Sequence, residues 1–301
     1  MARSLLRPFL LVVILALASS IATAQSQHDK DFWRAIYKNH AAVPQNESAD
    51  ALAQELGAMV ALPDPELRDE LSYSILATWV YRGNVLSTPT LLSLTDAWRA
   101  NLKLGLGEAG TDSVLRRSFS ALLLSEIAAR DLKAPFLGVD RYHSLVSEAT
   151  SYLVNERDLR GYDPQLHWIH ATAHTADLLA ALAQNPQLTK KEAASILQAI
   201  DTRLYTAKDV YTQGEQDRLA AAVIAVIRRN DFDAATFAPW LAHIQDEDHD
   251  VWTATTPEAL ARFQNHNYFL QALTVRTLQA KEAPQLANFR DQVLAILGKR
   301  Q

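Results

Sequence analysis

The chain has 301 residues, with 29 lysines and arginines against 34 aspartates and glutamates, which gives a formal net charge of −5. Hydrophobic residues make up 49% of the sequence and charged residues 21%, an ordinary globular balance. This composition excludes a disordered tail protein and a nucleic-acid binder that works by bulk positive charge. Because the sequence contains no cysteine, it also excludes a disulfide, a thiol nucleophile and a cysteine-ligated metal centre.

The beginning of the chain is typical of an export signal. Arg3 and Arg7 make it positive, Phe9 to Ala18 is an uninterrupted apolar run, and residues 22–24 read Ala-Thr-Ala. Signal peptidases cleave after such small-x-small triplets. We therefore expect cleavage between Ala24 and Gln25 and a periplasmic or secreted protein.

A membrane anchor is the alternative interpretation of the same segment. A bilayer-spanning helix needs about 20 apolar residues, whereas this run is shorter and is followed by Ser19 and Ser20. The predicted organisation is thus a signal peptide at 1–24 and a single all-helical repeat domain at 25–301, with no membrane span after cleavage.

Apolar residues at three- and four-residue spacing dominate the rest of the sequence and indicate amphipathic helices. Five stronger helices are predicted: two beginning at Asp64 and Thr111, and three spanning Leu166–Leu182, Glu215–Ile227 and Phe263–Leu278. Weaker stretches lie between them, at Ala51–Val60, Leu91–Leu104, Tyr142–Val154, Glu192–Tyr205 and Leu286–Leu297. Asn-Gly and Asp-Gly hairpin signals are missing between alternating apolar runs. The predicted fold class is all-α.

The stronger helices recur at a regular interval. A polar residue lies near the start of each, and successive ones are 49, 53, 48 and 49 residues apart: Arg68, Arg117, His170, Arg218 and Asn267. A period of this size with two helices per repeat favours stacked antiparallel helix pairs, a HEAT-like α-solenoid. The alternative is an irregular helical bundle. In a solenoid, one helix of each pair lines a concave face, where such proteins bind partners.

The strongest candidate site lies near residue 170. On one continuous helix, His170, His174 and Asp177 would stand at i, i+4 and i+7 and share a face. Two imidazoles one turn apart with a carboxylate can hold a divalent metal. A structural hydrogen-bonded cluster and a small-ligand or catalytic site are the alternatives. Zinc proteases need a glutamate directly after the first histidine, and Ala171 stands there instead.

Polar residues near the start of the preceding strong helix are expected to join the same groove. These residues are Thr111, Asp112, Arg116 and Arg117. Arg116 and Arg117 can bind an anion near the helix N-terminus or pair with a local acid, such as Asp112 or Glu126. The glycine-rich stretch before them lacks the features of a phosphate loop, and it is predicted to cap two helices.

Several strings in the same order resemble the bacterial family known as domain of unknown function 2785. They are PDPELRDEL at 63–71, GTDSV at 110–114, RSFSAL at 117–122, ERDLRG at 156–161, and the pattern WxHxxAHxAD at 168–177. The likeness is strong over Leu52–Leu182 and loose over the C-terminal third. Because the family has no established activity, the resemblance implies a helical, HEAT-like fold and no particular reaction.

The resemblance also implies which polar positions characterise the family. In this sequence they are Thr111, Asp112, Arg117, Arg160, Trp168, His170, His174 and Asp177. Arg160 and Trp168 are therefore expected to line the ligand groove with the others. His167 stands where the family pattern leads us to expect glycine.

Taken together, these patterns predict an exported helical-repeat protein that binds a protein, peptide or small ligand in a concave groove centred on His170. The alternative is a metal-assisted hydrolase that uses His170, His174 and Asp177, with a divalent metal as its cofactor. Whether the protein is an enzyme is left open by the sequence.

Overall fold

The computed structural model describes residues 28–82, 84–232, 234–247, 252, 256–279 and 284–300. The predicted export signal and its cleavage site therefore lie outside the described residues. In chain order, the helices are α1 (Lys30–Lys38), α2 (Ala49–Met59), a π-helical segment (Glu66–Tyr73) running directly into α3 (Ser74–Tyr81), α4 (Thr88–Asn101), α5 (Ser113–Lys133), α6 (Val139–Asn155), α7 (Ala171–Ala183), α8 (Lys190–Thr206), α9 (Glu215–Ile227), α10 (Ala234–Glu247), α11 (Pro257–Gln279) and α12 (Pro284–Leu297). Within those ranges the strands are β1 (Tyr162–Asp163) and β2 (His167–Trp168), which pair antiparallel. The all-α prediction is confirmed.

The helices form two rows. Contacts join α3 to α5, α5 to α7, α7 to α9 and α9 to α11, and these helices make the first row. The second row contains α4, α6 and α8, which pack behind α5, α7 and α9, with α10 beside α8. Each first-row helix comes from one of the five stronger sequence patterns. The interval of about 49 residues therefore corresponds to one pair of helices.

One cluster of buried apolar side chains runs through both rows, from Trp33 in α1 to Ile296 in α12. Its largest fully buried members include Trp79, Trp98 and Phe119. Burying one large apolar side chain contributes about 1.5–3 kcal/mol, so this shared core, with no disulfide, holds the rows together. Among the described helices, none is both long enough and apolar enough to cross a bilayer.

Arginines of one helix pair also donate to carbonyl groups at the end of the preceding pair. Arg203 in α8 donates from Nε to Leu153 O and from Nη2 to Val154 O, both at 2.8 Å, near the end of α6. Arg229, just after α9, donates from Nη1 to Ala183 O at 3.0 Å, at the end of α7. The last carbonyls of a helix lack partners within it. Charge-assisted hydrogen bonds therefore connect successive pairs at these points.

Two features of the fold differ from the sequence predictions. Helix α7 begins at Ala171 rather than Leu166, because the chain before it turns back as β1 and β2 and has positive φ at His167 and His170. His170 is thus the left-handed residue that precedes the helix, and His167 does not share the face of His174. Two helices, α1 and α10, were not predicted; α10 contains Pro239, a residue that normally argues against a helix interior.

Candidate functional site

A cleft with a volume of about 720 Å³ opens on the first row of helices. It is surrounded by side chains from five parts of the chain: the π-helical segment, α5, the stretch from β2 to the residue before α7, α7, and the start of α9 with the two residues before it. The lining residues are Asp69, Tyr73, Phe119, Leu122, Ser125, Glu126, Trp168, His170, His174, Asp177, Gln213, Gly214, Asp217 and Arg218. Trp168, His170, His174 and Asp177, four of the residues predicted from sequence, therefore lie in one place.

The β1–β2 hairpin carries Trp168 and His170 to the cleft. A hydrogen bond from Ile169 N to Gly161 O, at 2.9 Å, closes the hairpin where its second strand ends. A Cβ atom on Gly161 would lie 2.6 Å from Glu215 Oε1 and would also clash with Gln213. A larger residue at position 161 would therefore force the ends of the Gln213 and Glu215 side chains to shift.

Buried Arg68 binds the backbone of the same hairpin. It donates from Nη2 to the carbonyl oxygens of Leu166 and Trp168, although about 100 residues separate the partners in sequence. Its Nε also donates to Asp69 Oδ1 at 2.7 Å. Arg68, which marks the start of the first stronger helix in the sequence, is completely buried in the structure and positions the backbone beside Trp168.

His170 orients its ring by contacts on two sides. Its Nε2 lies 3.1 Å from Gln213 O and 3.5 Å from Glu215 Oε1. A carbonyl oxygen only accepts, so Nε2 carries the hydrogen in this contact. The ring stacks on Trp168 with a centroid distance of 4.9 Å. Trp168 itself is 42% exposed, so an aromatic surface remains available to the cleft.

His174 presents one unpartnered nitrogen to the cleft. Its Nδ1 lies 2.8 Å from Ser118 Oγ, and the Ser118 hydroxyl donates its only hydrogen to Ile169 O. His174 Nδ1 must therefore be the donor to Ser118 Oγ, which leaves Nε2 with a bare lone pair. Among the described residues Nε2 has no hydrogen-bond partner, and it is not sealed from solvent. Burial, together with neighbouring His170 and Arg218, holds the pKa of His174 well below its usual value, so the ring is neutral.

Arginine side chains pair with two of the carboxylates that line the cleft. Arg218 Nη1 lies 2.9 Å from Asp177 Oδ1 and 2.6 Å from Oδ2. On the other side of α9, Arg276 donates from Nε to Asp217 Oδ1 at 2.8 Å. Burial raises the pKa of Asp177, although the Arg218 guanidinium partly offsets this effect.

Glu126 has a different environment. Its hydrogen bond comes from the Tyr73 hydroxyl at 3.2 Å, and no arginine, lysine or histidine of the described chain forms a salt bridge with it. Burial raises the pKa of Glu126, and the nearby charge of Asp177 raises it further. The same burial, and the charge of Glu126, raise the pKa of Tyr73. Glu126 is thus the carboxyl group of the cleft whose charge is least compensated.

Arg117, another predicted groove residue, lies behind the cleft rather than in it. It is fully buried in α5, and its Nε donates to Glu156 Oε2 at 2.6 Å. The sequence suggested Asp112 or Glu126 as partners; the actual partner is Glu156, which lies 39 residues away. Because Glu156 begins the segment that leads to the β1–β2 hairpin, this pair anchors the base of that segment.

Arg160 supports the other side of the same segment. It pairs with Asp158 through Nη2 and Oδ2 at 2.7 Å and donates to Thr111 O at 3.0 Å. Asp112 and Thr111 are exposed at the start of α5, and Arg116 is partly buried. None of these residues lines the cleft, although the sequence predicted a shared groove for all of them.

The predicted metal ligands are arranged differently from the sequence prediction. No group of three histidine, aspartate or glutamate side chains within the described ranges converges on one point. The predicted trio is also already engaged: His170 Nε2 donates to Gln213 O, and Asp177 binds Arg218 with both oxygens. The arrangement thus differs from the metal-binding helix face that the sequence suggested, because His170 precedes α7 instead of lying on it.

Sequence reasoning missed the contribution of the π-helical segment and of the middle of α5. Asp69, Tyr73 and Glu126 were not among the predicted groove residues. No local sequence motif marks any of these three residues as part of a site. Only the packing of α5 against α3 and α7 brings them to the cleft.

The comparisons agree with the resemblance seen in the sequence. The family model described as "Protein of unknown function (DUF2785)" matches residues 102–275, more than half of the chain. The match begins later than the stretch of strongest likeness and continues through most of α11. Neither the search of curated proteins nor the search of solved structures found a match. The cleft residues contributed by α5, the hairpin, α7 and α9 all lie within the matched range, and the chain belongs to this family of proteins of unknown function, DUF2785.

Proposed function

We propose that this protein binds a small organic ligand in the cleft around His170. The observation that supports the proposal most directly is the combination of a volume of about 720 Å³ with aromatic, acidic and imidazole groups from separate elements. Small-molecule sites typically have volumes of about 300–1,000 Å³ and combine ring surface with a few polar groups.

The sequence left a protein, a peptide and a small ligand as alternatives. A protein partner typically needs about 800 Å² of contact surface on each side, whereas the polar groups here converge within one cleft. The same proposal treats the two rows as a HEAT-like solenoid of helix pairs, with the cleft on its concave face.

The alternative function, a metal-assisted hydrolase using His170, His174 and Asp177, has less support. Arg218 engages both oxygens of Asp177, and the described residues offer no three-ligand cluster. Metal binding at this place would require Arg218 to withdraw and His170 to turn.

Fluorine-detected NMR with a library of fluorinated fragments tests the proposal. We expect several fragments to bind the wild-type protein and to bind Trp168→Ala at least tenfold more weakly. Trp252→Ala is the matched control, because Trp252 is 85% exposed and lies outside the cleft. Fragments that bind both variants as they bind the wild type would contradict the proposal.

Export is part of the same proposal. Expression of the full gene in a Gram-negative host, followed by N-terminal sequencing of the mature protein, should give a chain that begins at Gln25. An uncleaved protein that remains with the membrane fraction would instead support the anchor interpretation.

A further inference from the structure

We propose that the ligand of this cleft is a hydroxylated organic amine, held with its ammonium group at Glu126 and with a hydroxyl group donating to His174 Nε2. This inference rests on the proposed function, since it names the chemical class of the ligand for the same cleft.

The charges of the cleft favour a cation near Glu126. Asp69, Asp177 and Asp217 each have an arginine partner within hydrogen-bond distance, whereas Glu126 has only the Tyr73 hydroxyl. Lys133 attracts Glu126 at longer range, but its Nζ lies over the ring of Tyr81, 3.1 Å from the centroid. A partly buried carboxylate beside a second carboxylate gains most from a ligand that brings a positive charge.

His174 gives an independent indication that the ligand donates hydrogen bonds. Its side chain is 8% exposed, its Nδ1–H is committed to Ser118, and Nε2 faces the cleft as an acceptor. An acceptor that faces the cleft favours a ligand that can donate to it, and a ligand hydroxyl group would do so. An ammonium group is less suitable there, because Arg68 and Arg218 already act on this ring.

Aromatic rings supply the remaining surface. Tyr73 lies beside Glu126, Phe119 contacts the His174 ring, and Trp168 stacks on His170. Ring faces attract cations and pack against the C–H groups of a carbon framework. An amine with a compact hydroxylated framework uses both kinds of surface.

Other ligand classes fit this end of the cleft less well. A carboxylate or phosphate group would meet the negative charge of Glu126 and the lone pair of Nε2, and both repel it. A neutral polyol would satisfy His174 but would leave the charge of Glu126 uncompensated.

A matched pair of probes tests the proposal: the β-1,4-linked disaccharide of glucosamine, and cellobiose, which has a hydroxyl group in place of each ammonium. Titration calorimetry at pH 7 should show at least tenfold tighter binding of the glucosamine disaccharide. In Glu126→Gln, which keeps an oxygen that can accept from Tyr73, this preference should fall to less than threefold. Glu70→Gln removes a charge from an exposed position next to the cleft and should keep the preference.

The outcomes separate the ligand class from the proposed function. Equal affinity of the wild type for both disaccharides, tighter binding of cellobiose, or an unchanged preference in Glu126→Gln would overturn the amine proposal. If Glu126→Gln does not fold, the wild-type comparison of the two probes decides alone. If neither disaccharide binds, the amine proposal fails in this form, and the fragment experiment then shows whether the cleft binds small ligands at all.

Discussion

The buried pair of Arg117 and Glu156 makes a quantitative prediction about stability. Arg117 is fully buried and Glu156 is 3% exposed, and Nε and Oε2 are 2.6 Å apart. In Glu156→Ala the guanidinium keeps only neutral partners, among them Leu104 O at 3.0 Å. Removing one member of a buried ion pair costs about 3–5 kcal/mol. In a protein of this size, such a loss lowers the melting temperature by about 5–8 °C.

Urea denaturation followed by circular dichroism measures this loss. Asp96→Ala is the control, because Asp96 pairs with Arg141 at the surface, where the two side chains are 48% and 41% exposed. Such exposed pairs contribute about 0–1 kcal/mol. Combining Arg117→Met with Glu156→Ala should cost less than the sum of the single changes, since no charge is then left unpaired. A loss below about 1 kcal/mol in Glu156→Ala, or strictly additive single effects, would show that this pair does not anchor the segment.

Three further predictions concern the cleft. Gly161→Ala places a methyl group against Gln213. It should lower the free energy of unfolding, measured by urea titration, by about 1–3 kcal/mol. An unchanged urea midpoint of unfolding would contradict this and show that the side chains around position 161 can move aside. Because the pKa of His174 in the folded state lies well below 6.5, the unfolded state takes up this proton first, and stability falls as the pH drops below about 6.5. The wild type should then lose up to about 1.4 kcal/mol per pH unit more than His174→Gln, and parallel pH curves would contradict this. Tyr73→Phe removes the hydrogen bond to ionised Glu126, so NMR titration should give a higher pKa for Glu126 than in the wild type.

The periodicity of apolar residues was sufficient to predict most of the helices, because burial in two rows requires the same spacing that the sequence displays. The hairpin before α7 was not predictable in this way. Its apolar and polar residues also fit a helix. Arg68 and Ser118, which are distant in sequence, donate to the carbonyl oxygens of Trp168 and Ile169 just before His170. Local patterns do not contain such contacts.

The candidate site was predictable only in part for a related reason. Trp168, His170, His174 and Asp177 are close in sequence, so one segment identified them together. Glu126 and Tyr73 come from two other helices, and nothing near either residue marks it as a cleft residue. The partner of Arg117 was also wrong in the sequence analysis, because a buried arginine selects its carboxylate by the packing of whole helices.

The arginines that bridge successive helix pairs have a consequence for how the chain can be shortened. Arg203 donates a hydrogen bond to a carbonyl group at the end of α6, and Arg229 donates to one at the end of α7. Each helix pair therefore depends on the pair that follows it in the chain. A truncated chain that stops before Arg229 would leave Ala183 O without its donor even though α7 itself is intact. Nearest-neighbour coupling of this kind makes unfolding spread from one pair to the next, so shortened variants need a substitute cap at the new terminus.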